Sequence, residues 1–200
     1  MYELKKLLKR HIEENLFKYI ILLFLFVAGV IGGFVFSQNV SAETSEAVQS
    51  EVGTFMDGFS EGVFNRGEIA KTSFLKALRI TLLIFLSGLS VWLIPLSLVT
   101  LFFYGVSLGF TIGYLSANFG GQGLGVALVS VFFVFLINIP VYMILGVVAF
   151  NNSGIKRRGR SSKGNFGLYM VIFLILFLIS VIPVIEDTFL IPWLIGLICR

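Results

Sequence analysis

One uncharged stretch, Ile80–Asn118, constrains the fold of this chain more than any other feature. It is apolar almost throughout, and it is far longer than the roughly 20 helical residues that cross the hydrocarbon core of a bilayer. Pro95 interrupts it, and proline lacks a backbone N–H and clashes with the preceding helical turn. The stretch therefore predicts a hairpin of two membrane helices, Ile80–Ile94 and Leu98–Ala117, joined by a tight turn at Pro95–Ser97.

Glycines in this region recur with helical spacing. Gly105, Gly109 and Gly113 lie four residues apart in the second predicted helix, and Gly29 and Gly33 show the same spacing in an earlier apolar segment. Residues four apart share one face of a helix, and a face of glycines lets a second helix approach backbone to backbone. The spacing predicts that these glycines are helix-packing residues and that the two faces meet.

The composition indicates an integral membrane protein. Hydrophobic residues make up 57% of the chain and charged residues only 13%, and a soluble domain of this size cannot hide so much apolar surface. The net charge of +4 bears on orientation in the membrane, and no nucleic-acid-binding fold accompanies it. The single cysteine, Cys199, excludes an internal disulfide, and the single histidine, His11, has no nearby ligand with which to share a metal.

The N-terminal part of the chain predicts an interfacial helix and a membrane anchor. Residues 1–18 place leucines on one side of a helix and lysines on the other, which is typical of an amphipathic helix that lies on lipid headgroups. Residues 19–36 are uncharged and long enough for a first transmembrane helix. A cleaved signal peptide is the alternative, since Val40-Ser41-Ala42 matches a cleavage site. The apolar run is longer than in most signal peptides, which favours an uncleaved anchor.

The longest polar segment, residues 37–79, predicts an external loop with amphipathic helices. Its first part is acidic, and Val52, Phe55 and Phe59 recur at helical spacing within it. An acidic helix is not drawn electrostatically to an anionic membrane. These three residues are therefore candidates for docking a partner, and the alternative is that their helix packs on its own bundle.

The C-terminal half predicts two further spans, residues 124–150 and residues 166–185. Between them, residues 151–165 carry only basic charges, which predicts a cytoplasmic loop. The tail, residues 186–200, begins with Glu186. This residue either lies in water at the membrane boundary or is buried against a partner or the tail, which makes it a further docking candidate.

Charge and length together predict five crossings of the cell membrane. The basic N-terminus and the basic loop then both lie in the cytoplasm, while residues 37–79 and the C-terminal end lie outside. The predicted fold is a single all-α, polytopic membrane domain. It has five transmembrane helices, a glycine-faced helical hairpin and short amphipathic interfacial helices. Asn138, deep in the fourth span, is expected to face other helices, because lipid offers it no hydrogen-bond partner.

No pattern of catalytic residues accompanies these helices. A nucleophile, base and orienting group cannot be combined, and neither a metal-ligand cluster nor a nucleotide motif occurs in the sequence. We therefore expect a scaffold that is not an enzyme, has no cofactor or metal, and contacts membrane lipid and partner proteins but no nucleic acid. Self-association into a homo-oligomer is left open. The alternatives are the membrane subunit of an ABC-type transporter and an intramembrane enzyme.

Short motifs occur along the chain in a characteristic order. They are Gly29-Val-Ile-Gly-Gly33, Ser87-Gly-Leu-Ser-Val-Trp-Leu-Ile-Pro95, Tyr104-Gly-Val-Ser-Leu-Gly-Phe-Thr-Ile-Gly-Tyr114, Ile139-Pro140 and Ile185-Glu186. In these motifs and their order, the chain resembles the stage II sporulation protein M family, which consists of integral membrane proteins of endospore-forming bacteria. The resemblance implies a membrane anchor for two peptidoglycan-degrading enzymes, stage II sporulation proteins D and P. It also implies a role in thinning of the septal wall and engulfment of the forespore, with the external loop and outer helix ends as the docking surface.

Overall fold

The computed structural model describes residues 10–40, 65–157 and 163–190, and within these ranges the chain is helical and contains no strand. The long helices are α1 (Leu16–Gln38), α2 (Arg66–Ser87), α3 (Ile94–Phe133), α4 (Ile139–Arg157) and α5 (Lys163–Ile185). A 3₁₀ turn, Val91–Leu93, precedes α3, and π-helical segments, Val134–Asn138 and Glu186–Leu190, precede α4 and follow α5.

Four segments of the described chain are long and apolar enough to cross a membrane. They are Leu16–Ser37, Val91–Gly121, Gly123–Ser153 and Phe166–Phe189. This pattern fits a multi-pass membrane protein, as the composition predicted. The predicted count of five is not confirmed by apolarity alone, because α2 carries charges along its length, including Lys71, Lys76 and Arg79.

The second helix begins earlier than predicted. It starts at Arg66, inside the segment that the sequence assigned to the external loop, residues 37–79. The Asn65 side chain caps it by accepting hydrogen bonds from the backbone N–H groups of Gly67, at 3.1 Å, and Glu68, at 3.3 Å. Glu68 also places a negative charge in the first turn, where the helix dipole favours it. The last part of the predicted loop is therefore a well-capped helix start.

The second helix also ends earlier than predicted. The break lies at residues 88–90, which corrects the predicted helix Ile80–Ile94 and the predicted turn at Pro95–Ser97. Pro95 is instead the second residue of α3. The first turn of a helix tolerates proline because an N–H there would have no intrahelical acceptor. Proline therefore lies at the start of a helix here.

The third and fourth predicted spans are joined at a single glycine. Gly120 has φ 56° and ψ −135°, a conformation that residues with a side chain rarely adopt. A Cβ atom placed on Gly123 would collide with the carbonyl oxygen of Leu115, so the chain doubles back closely on itself. Residues 120–123 are thus a sharp break within α3.

Hydrogen bonds show which helix ends lie together. Lys18 of α1 donates to the Oδ1 atom of Asn151 in α4. The neighbouring Asn152 donates to the carbonyl of Gly88, just after α2, at 2.8 Å. We call this the N-terminal end of the bundle, since α1 begins there.

Contacts at the opposite end complete the arrangement. Gln38 of α1 donates to the carbonyl of Gly113 in α3 at 3.4 Å. The Arg66 guanidinium of α2 lies 5.6 Å from the centre of the Phe189 ring. Helices α1, α2 and α5 therefore run between the same two ends, and α3 does so before its break at Gly120. The core between them is built on large apolar side chains such as Leu22, Leu101 and Leu145.

Candidate functional site

The α1–α3 contact brings together all five glycines that the sequence singled out, and it is the most extensive helix contact in the described chain. A Cβ atom on any of them would collide with the partner helix. The collisions pair Gly29 with the Phe102 carbonyl, Gly33 with the Val106 carbonyl, Gly105 with the Phe26 carbonyl, Gly109 with the Val30 carbonyl, and Gly113 with the Ser37 hydroxyl.

These collisions are reciprocal, because glycines of each helix face backbone atoms of the other. Backbones this close gain dispersion energy and weak Cα–H···O contacts that larger residues would prevent. Gly32, next to Gly33, has nothing within 4 Å of the position that a Cβ atom would take, so the requirement for glycine is confined to one face. The contact gives α1 and α3 a fixed relative position.

The predicted docking residues are less well placed by the structure. Val52, Phe55 and Phe59 lie outside the described residues. Glu186 is the first residue of the π-helical segment that follows α5. Its Oε2 atom is buried and has no hydrogen-bond partner within the described part of the chain. Glu186 is therefore not simply a solvated residue at the end of a helix.

A polar cavity, which the sequence did not predict, lies where α2 meets α3, α4 and α5. Its volume is about 30 Å³. Four of the five long helices and both π-helical segments line it with polar side chains. These polar residues are Ser73, Lys76, Tyr104, Asn138, Tyr142, Ser180 and Asp187. We call this set the polar seam.

Two opposite charges lie near each other in the polar seam. The Lys76 ammonium lies 5.9 Å from the centre of the Tyr104 ring, within the range of a cation–π interaction. Asp187 lies close enough to Ser73 and Lys76 for both to stabilise its negative charge. Charged groups among apolar helices are costly unless they are compensated. This pair lets α2 lie against its apolar neighbours although α2 itself is charged.

Uncharged polar groups occupy the remainder of the seam. Tyr104 and Tyr142 meet edge to face, with ring centres 5.3 Å apart, and the hydroxyl oxygens of Thr81 and Ser180 are 3.4 Å apart. Asn138 is only 8% exposed, and its Oδ1 atom has no partner among the described residues. It faces other helices, as expected, because the π-helical turn before Pro140 directs it inward.

The size of the cavity limits what the seam can do. A cavity of about 30 Å³ has room only for water, whereas small-molecule sites usually exceed about 300 Å³. Within the described residues, no group of histidines, cysteines and acids could hold a metal. The arrangement is suited to fixing the position of α2 rather than to binding a substrate.

Sequence reasoning missed the polar seam because its members are far apart in the chain. The only available signal was the spacing of Lys71, Lys76 and Arg79 ahead of a long uncharged run. That spacing places basic residues well inside a helix that continues to Ser87. With the helix wrongly assigned to Ile80–Ile94, the same residues fell in the external loop.

A family model matches this chain over most of its length. Residues 21–190 match the model of the family described as stage II sporulation protein M. No curated protein matches the chain, and no solved structure does.

Proposed function

Since the chain belongs to the stage II sporulation protein M family, we propose that it is a membrane anchor that recruits and positions peptidoglycan hydrolases during sporulation. On this proposal it is not an enzyme. Its partners are stage II sporulation proteins D and P, which act on the septal wall during thinning and forespore engulfment. The chain supplies their position, and the hydrolases supply the chemistry.

The observation that carries the proposal is the glycine contact between α1 and α3. Helices packed this closely along a face of five glycines cannot slide past each other without steric collision. A protein that positions enzymes needs such a fixed framework. The small volume of the polar seam also supports a positioning role over a transport pathway, which needs room for its substrate.

We further propose five membrane crossings, with α2 as the charged one. Helix α2 lies along α5 for its whole length. Tyr169 donates to the carbonyl of Phe85 at 2.6 Å near the N-terminal end, and Arg66 lies over Phe189 at the opposite end. Since α5 belongs to an apolar span, α2 lies at the same depth in the membrane. The positive-inside rule then places the N-terminus and residues 151–165 in the cytoplasm and the C-terminal end outside.

Cysteine labelling tests this topology. In a Cys199→Ser background, a membrane-impermeant maleimide added to intact protoplasts should label Asn39→Cys and should spare Ser162→Cys. After permeabilisation both variants should react. Labelling of Ser162→Cys alone on intact cells would invert the proposed orientation.

The partner proposal is tested by co-purification from gently solubilised membranes of sporulating cells. Tagged wild-type protein should recover stage II sporulation proteins D and P. Gly109→Leu should lose them, because its side chain would force α3 away from the Val30 backbone. Gly32→Leu, in which the new side chain meets open space, should retain them. Recovery of a cytoplasmic ATPase in place of the hydrolases would contradict the proposal and favour a transport subunit.

A further inference from the structure

A regular stripe of residues runs along the outer surface of α2. It consists of Thr72, Leu75, Arg79, Leu82 and Leu86, and we call it the α2 stripe. Their separations alternate between three and four residues, which is the spacing of a helix–helix packing seam. All but Leu86, which is half-buried, are exposed. The stripe lies opposite the buried residues Ala77, Thr81 and Ile84, so it faces away from the bundle.

Arg79 lies at the centre of the stripe and deep in the helix. It is more than two turns, about 12 Å, from the end of α2 at Ser87. Trp92, just beyond that end, is 91% exposed, and exposed tryptophan is typical of the membrane interface. Side chains tilt toward the N-terminus of their helix, which in α2 points away from this nearer interface. The geometry therefore opposes an easy extension of the guanidinium to the nearer headgroups.

Within the described residues, Arg79 forms no ion pair with a carboxylate. The sequence contains no acidic residue between Glu14 and Glu43, or between Glu68 and Glu186. Asp187 is close to Lys76, which precedes Arg79 by about one helical turn, and it lies in the polar seam rather than on the α2 stripe.

We propose that the α2 stripe docks a transmembrane helix of another protein, and that this helix carries an aspartate or glutamate at the depth of Arg79. The leucines pack against the apolar side chains of the partner helix. The carboxylate compensates the guanidinium, as opposite charges between membrane helices do. A polar residue inside an apolar seam also fixes register and partner choice. The inference depends on the membrane placement of α2 and not on the identity of the hydrolases.

The test uses the purified full-length protein in phosphatidylcholine vesicles and synthetic poly-leucine/alanine transmembrane peptides. One peptide carries a glutamate at mid-depth, and three matched peptides carry glutamine, leucine or lysine there. Binding is measured by energy transfer between labelled protein and labelled peptide. We expect the glutamate peptide to bind about tenfold more tightly than the leucine peptide, since polar contacts between membrane helices are modest. The lysine peptide should bind most weakly.

A charge reversal distinguishes specific recognition of the peptide charge from nonspecific binding. Arg79→Glu should bind the lysine peptide in preference to the glutamate peptide, and Arg79→Lys should keep the wild-type order. Equal binding of all four peptides to wild-type protein would overturn the proposal even if every variant failed to fold. The vesicles contain no hydrolase, so this test can contradict the docking proposal without bearing on the proposed hydrolase partners, and the co-purification can do the reverse.

Two further outcomes would also contradict the proposal. In a Cys199→Ser background, disulfide cross-linking of Leu82→Cys between two copies of the chain would make the stripe a self-interface. Labelling of the same cysteine by a water-soluble maleimide in sealed vesicles would show that α2 lies in water. Protection from the maleimide without cross-linking is the expected result.

Discussion

Helices α1 and α3 meet through glycines, whereas α2 meets its neighbours through hydroxyls, an amide and two charges. In the first contact the important property is the absence of side chains, so a Cβ atom added at four of the five glycines collides with a backbone that cannot move away. In the second contact the important property is pairing, so a change in one group can be offset by a change in its partner. The first region should therefore respond abruptly to substitution, and the second should respond gradually and jointly.

Of the substitutions that test this comparison, that of Gly33 should have the largest effect on the stability of the folded protein. Gly33→Leu places a side chain against the Val106 backbone, and we expect it to destabilise the folded protein by more than about 3 kcal/mol. Gly32→Leu is the matched control, because the adjacent position is open and leucine is the better helix former. Thermal unfolding in mild detergent measures both. Similar melting temperatures for the two variants would show that the glycine face is not required.

The charges of the polar seam should give a smaller and coupled effect. Asp187→Asn removes the group that compensates Lys76, and we expect a loss of only about 1 kcal/mol, because Lys76 is exposed. Lys76→Met alone should also destabilise the protein, since it leaves Asp187 without a cation. The double variant should be more stable than the sum of the single losses predicts, by about 1 kcal/mol in a double-mutant cycle. Strict additivity would mean that the two charges do not interact.

The smallest effect on stability is expected at Asn138, where one buried polar atom lacks a partner. Its buried Oδ1 atom has no partner in the described chain, and a buried acceptor without a hydrogen bond costs about 1–3 kcal/mol. Asn138→Leu removes this cost and extends toward the adjacent cavity, so stability should stay the same or rise by about 1 kcal/mol. Thermal unfolding checks this as well. A clear loss of stability would show that a bound water satisfies the amide.

The two regions also differ in how far the sequence predicts them. The glycine faces were predictable because their members lie four residues apart within single helices, where periodicity alone places them on one face. The polar seam was not, because Lys76, Tyr104, Asn138 and Asp187 come from separate elements. Only tertiary packing brings such residues together, and no local sequence pattern indicates that packing.

The predicted position of the hairpin was wrong for a different reason. Proline both ends helices and occurs in their first turn, so Pro95 was compatible with a break on either side of it. The structure has the break before it, at residues 88–90. That shift makes α2 a helix that starts at Arg66, and it moves Lys76 and Arg79 from a predicted loop into the bundle.

The reversal of chain direction at Gly120 limits which parts of the chain are accessible to a partner outside the cell. A single residue separates Val91–Gly121 from the closely following helical turn at Gly123, so these two spans offer almost no loop for recognition. On the proposed topology, a soluble domain outside the cell has to engage the chain between Gln38 and Arg66 or beyond Phe189. An affinity tag or antibody epitope inserted at Gly120 should break the fold, whereas the polar sequence after Gln38 is the better place to attach one.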